Sequence, residues 1–296
     1  VAQARVVFVL ERKNKNIMNK KNIAYLLVAL LLAISAPSVS AKKGTLFIIG
    51  GGKVNESMRD QMLKASGLDK GGYMVILPMS SEEEPLVNAE EISSVLNTVP
   101  GLKIYTYNIQ KGDYVSPQRL DSIRNACLVF ISGGDQVRFL DITKGTGINE
   151  AIHDAYNKGA LIAGTSAGAS LMSKIMVTGN ELKYPDDNFT KIEAGNVETI
   201  PGLGFLDKVT IDQHFVVRKR YNRMLSYGLE NPNHMSIGID EATAIFVEGK
   251  KATVFGVSQV IVMRNKGAKI TNRNGQLAAT GLKLDVYLAG DSFSIY

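Results

Sequence analysis

Cysteine is almost absent from this chain, and its scarcity narrows the chemistry. Cys127 is the single cysteine in 296 residues, so an intramolecular disulfide and a cysteine-based zinc cluster are both excluded. It lies in the apolar run Ala126-Cys127-Leu128-Val129-Phe130, where it reads as a small hydrophobe of a buried strand. Low-complexity tracts, internal repeats and linker-like stretches are also missing. With 45% hydrophobic and 21% charged residues, the composition is that of an ordinary globular protein large enough to bury a substantial core.

A basic excess is missing too, once its source is traced. The net charge is +6, but residues 1–41 hold Arg5, Arg12, Lys13, Lys15, Lys20 and Lys21 against Glu11 alone. The remaining 28 basic and 27 acidic residues nearly cancel, which removes the main argument for nucleic-acid binding. Residues 18–41 have the pattern of a signal peptide. Lys20 and Lys21 precede an apolar stretch from Ile23 to Ile34, and Val39-Ser40-Ala41 resembles a cleavage site. The stretch is short against the roughly 20 residues that span a bilayer, so cleavage is expected rather than a stable membrane anchor. No cysteine follows it, which excludes lipoprotein processing. Residues 1–17 form an upstream extension, and residues 42–296 are expected to form one catalytic α/β domain, exported to the periplasm or the medium.

From Gly44 onward, apolar runs alternate with helical patterns. The runs are Thr45–Gly50, Tyr73–Pro78, Lys103–Ile109, Cys127–Ser132 and Ala160–Ala163. Between them, helices are predicted over Glu56–Ala65, Asn88–Thr98, Pro117–Asn125 and Gln136–Lys158. Continuously apolar strands alternating with helices predict a mostly parallel sheet with helices on both faces. Ligands of such folds bind beyond the carboxyl ends of the strands. After a helix around Val217–Gly228, strands dominate: Met235–Ile239, Ala244–Val247, Ala252–Phe255, Gln259–Met263 and Lys283–Leu288, with a hairpin turn at Gly249-Lys250-Lys251. These are expected to extend the sheet in antiparallel fashion.

Gly164-Thr165-Ser166-Ala167-Gly168 follows the apolar strand Ala160-Leu161-Ile162-Ala163 and precedes the helix-compatible Ala169-Ser170-Leu171-Met172. In that setting Gly-x-Ser-x-Gly reads as a nucleophile elbow, a tight turn that aims the Ser166 hydroxyl out of the sheet. It also puts the Ala167 N–H at a helix start, where it can stabilise an oxyanion. Ser132-Gly133-Gly134-Asp135 ends another strand and offers further donors at Gly134 and Asp135; Asp135 would equally serve as a helix N-cap. A serine hydroxyl needs a base, and the chain has three histidines. His153 sits in a helical pattern and His234 in a turn. His214 ends the apolar segment Val209-Thr210-Ile211, between polar neighbours, and is the expected base. An acid should orient it; Glu181, Asp186, Asp187 and Asp212 are candidates that spacing does not separate. Arg218, Arg220 and Arg223 follow the histidine, and guanidinium forks suit carboxylates.

The stretches Gly164-Thr165-Ser166-Ala167-Gly168-Ala169, Gly133-Gly134-Asp135-Gln136, Asp212-Gln213-His214-Phe215 with its three arginines, and Gly238 to Glu241 together resemble the cyanophycinase family, serine peptidases related to the α-aspartyl dipeptidases. The likeness spans most of residues 44–263. It implies a flavodoxin-like or class I glutamine amidotransferase-like sheet, with Ser166 as nucleophile, His214 as base and Glu181 as acid. Gln136, Asp212, Gln213, Arg218, Arg220 and Arg223 would line the substrate pocket, with no metal or organic cofactor. The implied substrate is cyanophycin, an aspartate backbone carrying arginine on each side-chain carboxyl, cut to β-Asp-Arg dipeptides. That polymer is stored inside cells, so an exported relative would digest released polymer or another aspartyl peptide. The alternatives are an α-aspartyl dipeptidase and an exported peptide-binding relative without catalysis. An α/β-hydrolase esterase is disfavoured because several strands follow His214. The assembly is left open, a homodimer being one arrangement.

Overall fold

The computed structural model describes residues 43–185 and 187–295. The signal-peptide and upstream-extension expectations, and Asp186, lie outside the described residues. Strands β1 (Thr45–Ile49), β2 (Tyr73–Leu77), β3 (Lys103–Thr106), β4 (Leu128–Ile131) and β5 (Leu161–Thr165) run parallel in the order β1-β5-β4-β2-β3. Strands β1, β2, β4 and β5 carry apolar residues at consecutive positions because they are covered on both sides, whereas the edge strand β3 is mostly exposed. Leu46, Ile48, Val75, Leu77, Val129 and Ile131 pack into one core cluster, and Phe47, Ile49, Met74, Ile76, Leu128 and Phe130 into the other. The second cluster is closed by helices α1 (Glu56–Ser66) and α2 (Pro85–Leu96), through Met58, Met62, Ala89 and Leu96. The first is closed by α3 (Pro117–Arg124), α4 (Gln136–Thr143) and α5 (Ile148–Asn157), through Ile123, Phe139, Ile142, Ile148 and Ile152. The predicted single helix Gln136–Lys158 is therefore two. Gly145 and Gly147, at φ 73° and 83°, break it with left-handed turns.

Beyond β5 come the short α6 (Ala167–Ser170), the hairpin of β6 (Ile175–Glu181) with β7 (Val197–Pro201), β8 (Val209–Gln213), and α7 (Tyr221–Glu230). There follow β9 (Met235–Ile239), β10 (Thr243–Glu248), β11 (Lys251–Gly256), β12 (Val260–Arg264), the hairpin of β13 (Lys269–Arg273) with β14 (Gln276–Thr280), β15 (Lys283–Tyr287) and β16 (Ser292–Ser294). Here the expectation of one extended sheet is corrected. Strands β10, β11 and β16 do join β1 in antiparallel order, making the large sheet eight-stranded. Strands β9, β12 and β15 instead form with β8 a separate four-stranded sheet in the order β15-β12-β9-β8. The reason is burial: Ile211, Ile237, Ile239, Val260 and Val262 belong to the first core cluster with the large sheet's Ile48 and Val129, so this sheet packs on a face rather than lengthening an edge.

Candidate active site

Ser166 stands where β5 turns into α6, at φ 51° and ψ −109°. For a residue with a Cβ this is a sparsely populated conformation costing roughly 1–3 kcal/mol. The surroundings hold it there: the Ser166 N–H donates to Ile49 O at 3.0 Å, and Ser166 O accepts from the Ala169 N–H at 3.0 Å. A Cβ on Gly168 would collide with the Ile131 carbonyl, so only glycine lets α6 start this close to β4.

His214 follows β8 and also has a positive φ, 49°. Its N–H donates to Gly50 O at 2.7 Å. Gly51, after β1, lies against the ring: a Cβ there would overlap the imidazole. Ser166 Oγ and His214 Nε2 are 2.7 Å apart, and His214 Nδ1 lies 2.6 Å from Glu241 Oε1. The His214 side chain is 10% exposed and that of Glu241 is 39% exposed. Burial pushes the imidazole below its ordinary range. Glu241 pulls it upward, and the neighbouring Arg218 and Arg220 charges depress it further, for a net lowering. At neutral pH the ring is thus an uncharged acceptor toward Ser166. A hydroxyl, a neutral imidazole and a carboxylate linked in this order can deprotonate the hydroxyl and stabilise the resulting imidazolium.

The carboxylate on the histidine is Glu241, which corrects the expectation of Glu181. Glu181 ends β6, is buried, and accepts hydrogen bonds from the Phe189 N–H and from Asn196 Nδ2, the latter at 2.7 Å. Those bonds commit it to anchoring the 182–196 loop rather than the imidazole. Asp187 is exposed, and Asp212 is engaged by arginine. Glu241 lies 27 residues beyond His214, outside the Ser166-to-His214 interval that held all four candidates. Its signal was the acidic pair Asp240-Glu241 directly after the apolar run Met235–Ile239.

The oxyanion candidates also divide. The Asp135 N–H donates to Ser80 O at 2.8 Å, and the Asp135 side chain caps α4 by accepting from the Val137 and Arg138 N–H groups. Asp135 is therefore a cap with a committed N–H, which corrects its expected role as an oxyanion donor. The N–H groups of Gly134 and Ala167 have no hydrogen-bond partner among the described residues. The Gly133-Gly134 turn lies against the serine, since a Cβ on Gly133 would sit 3.3 Å from Ser166 Cβ.

Of the expected pocket residues, Asp212, Gln213, Arg218 and Arg220 lie on β8 and the turn after it, Arg223 on α7 and Gln136 on α4. Arg223 is buried and forks onto Asp212, with Nε 2.9 Å from Oδ2 and an Nη2 contact to Oδ1. Arg220 Nη1 reaches Gln213 O at 2.7 Å, the Gln213 side-chain oxygen, and Asp212 at 3.5 Å. Burial and the Arg223 charge bring Arg220 down to about 10, so it remains a cation at neutral pH. Arg218 is exposed. Gln136 is buried and donates its amide to Val177 O and Thr178 O at 2.9 and 2.7 Å, tying α4 to β6. Among the three arginines, then, Arg223 is committed inside the protein and Arg218 faces outward. His153 hydrogen-bonds Leu203 O at 2.7 Å and stacks on Phe205, and His234 contacts the Tyr227 hydroxyl at 3.1 Å; neither approaches the serine.

The model of Peptidase family S51 matches residues 46–255. A cyanophycinase of Nostoc sp. is 28% identical over 292 residues, covering 95% of this chain and 94% of its own length. A Peptidase E of Actinobacillus pleuropneumoniae is 24% identical, covering 67% of this chain and 80% of its own. The crystal structure of a peptidase from an acI-B1 Actinobacterium superposes with a TM-score of 0.63 at 20% identity, covering 86% of this chain and 98% of that one; it shows the likeness of fold. With the family matched across most of its length, the chain belongs to Peptidase family S51 and is a serine-type peptidase.

Proposed function

We propose that this chain is an exported serine exopeptidase that releases β-Asp-Arg-type dipeptides from cyanophycin or a related β-aspartyl peptide. The single observation that carries the reading is the hydrogen-bonded chain Ser166–His214–Glu241, with Arg218 and Arg220 in the turn that His214 opens. Ser166 Oγ attacks the scissile carbonyl carbon while His214 Nε2 takes its proton, and Glu241 stabilises the imidazolium. The oxyanion is met by the N–H groups of Ala167 and Gly134. The proton then passes to the leaving amine, and water, deprotonated by the same imidazole, hydrolyses the acyl-enzyme.

Arg218 and Arg220 offer charge to a free carboxylate of the substrate, while Arg223 acts through Asp212. The cyanophycinases among its relatives match nearly the whole chain, which supports the substrate class. Export rests on the leader-like residues 18–41. A second reading, an α-aspartyl dipeptidase, is supported by the Peptidase E relatives, which cover less of the chain. Insoluble cyanophycin incubated with protein lacking residues 1–41 should release β-Asp-Arg by mass spectrometry, and Ser166→Ala should abolish the release. Cleavage of α-aspartyl dipeptides alone would favour the second reading.

A further inference from the structure

We infer that Asp240 is a positioning residue that holds His214 and Glu241 in register, an inference that rests on the reading of Ser166, His214 and Glu241 as the reacting chain. Asp240 is buried. Its Oδ1 accepts from the Val216 and Val217 N–H groups, each at 3.0 Å, and its Oδ2 accepts from the Ser258 hydroxyl at 2.6 Å. Two of these donors lie on the turn that His214 opens, and Asp240 itself directly precedes Glu241, the residue paired with the imidazole. A single carboxylate thus joins the two backbone segments whose side chains must meet at 2.6 Å.

The pair needs such a tie. Glu241 is 39% exposed, so packing alone does not fix its side chain. His214 is held in the left-handed region, which a residue with a Cβ keeps only where its surroundings over-determine it. Asp240 is itself anchored from the connection between β11 and β12: its N–H donates to Gln259 O at 3.2 Å, and Ser258 N–H donates to Thr243 Oγ1 at 2.9 Å. Burial works against the charged form, but hydrogen bonding, from Ser258, Val217 and Val216 among its donors, more than offsets it and leaves the carboxyl below its usual range. It therefore acts as an ionised acceptor, for which charge-assisted bonds are the stronger kind. Asp240 touches neither Ser166 nor the imidazole, so its effect on the reaction runs through the His214–Glu241 pair.

The test reads the reactivity of Ser166 without assuming a substrate. The rate of its modification by a fluorophosphonate, followed by intact mass spectrometry, is measured for Asp240→Ala, Asp240→Asn, Glu241→Gln and the double variants. Low-field proton spectra report the His214 Nδ1–H bonded to Glu241. We expect Asp240→Ala to slow labelling by about 10- to 100-fold, the scale for outer partners that orient a functional imidazole. Asp240→Asn, which keeps an oxygen for Val216 and Val217, should slow it less, and both should weaken the low-field resonance. In the Glu241→Gln background either change should add less than about 2-fold, the signature of two residues acting as one unit. Normal labelling and an unchanged resonance in both Asp240 variants would overturn the inference, as would an undiminished loss in the Glu241→Gln background. Should Asp240→Ala not fold, Asp240→Asn decides by the same criteria. Wild-type labelling in Glu241→Gln would instead overturn the site reading itself.

Discussion

Burial, two arginines and one glutamate act on the His214 imidazole together, and their signs differ. Desolvation is the largest influence and disfavours the cation; Glu241 favours it; Arg218 and Arg220 oppose it. The net lowering means that activity should rise as pH increases through a value below the ordinary histidine range, where the ring loses its proton. Arg218→Gln removes one depressing charge from an exposed position. The acid limb of kcat/KM should then move to higher pH, and less so in high salt, where surface charges are screened. A pH–rate profile of the variant beside the parent checks this; a shift to lower pH would contradict the assignment of the limb to His214. At this scale the sequence was readable where local context was distinctive. Ser166 in its glycine-flanked turn and His214 at a strand end could be picked out. Glu241 was passed over for Glu181 even though it closes the stretch Gly238 to Glu241, because a carboxylate carries no mark of what its neighbours in space will be.

Strand β8 and helix α7 show how an element can serve the site from inside. Asp212 points into the protein from β8, and Arg223, on α7, meets it with two guanidinium nitrogens while its guanidinium stacks 5.5 Å from the Phe189 ring centroid. This pair fastens the helix behind the histidine turn to the strand ahead of it. Replacing Arg223 with Met would leave the Asp212 carboxylate buried, with only the 3.5 Å contact to Arg220 as ionic support. Breaking a buried pair from one side costs about 3–5 kcal/mol. Arg223→Met should therefore lower the urea midpoint by an amount equivalent to about 3 kcal/mol, whereas unchanged stability would mean that the pair contributes no net tie. The parallel strands were legible because consecutive apolar residues bounded by small polar ones have few other uses. The β6–β7 hairpin was not, since Thr178, Gly179 and Asn180 interrupt its apolar pattern and a register shift falls between Val177 and Glu181. Nor was the break between α4 and α5 read, although Gly145 and Gly147 mark it in the sequence.

For the molecule as a whole, the site lies where two sheets meet. Ser166 comes from the end of β5 in the eight-stranded sheet, and His214 from the end of β8 in the four-stranded one. Glu241 lies in the short connection by which the chain passes from β9 in the smaller sheet to β10 in the larger. The Gly50-Gly51 segment after β1 bonds to the backbone at His214 and just beyond Glu241: Gly50 O accepts from His214 N–H, and Gly51 O accepts from Ala242 N–H, each at 2.7 Å. A second sheet packed on a face of the first was not foreseen from the alternation of elements, because β9, β10 and β12 read alike as apolar strands. Only their burial and pairing assign them to different sheets. That arrangement is why the acid follows the histidine in the chain instead of preceding it.

The central claim, that Ser166, His214 and Glu241 form the reacting chain, is tested most directly by comparing Glu241→Gln with Glu181→Gln for turnover of the same aspartyl substrate. Removing the orienting carboxylate of a serine–histidine–acid site lowers kcat by about 10⁴-fold. Glu241→Gln should approach that loss, while Glu181→Gln should stay within about tenfold of the parent, since it disturbs hydrogen bonds of the 182–196 loop rather than the imidazole. Near-normal turnover in Glu241→Gln together with collapse in Glu181→Gln would contradict the account.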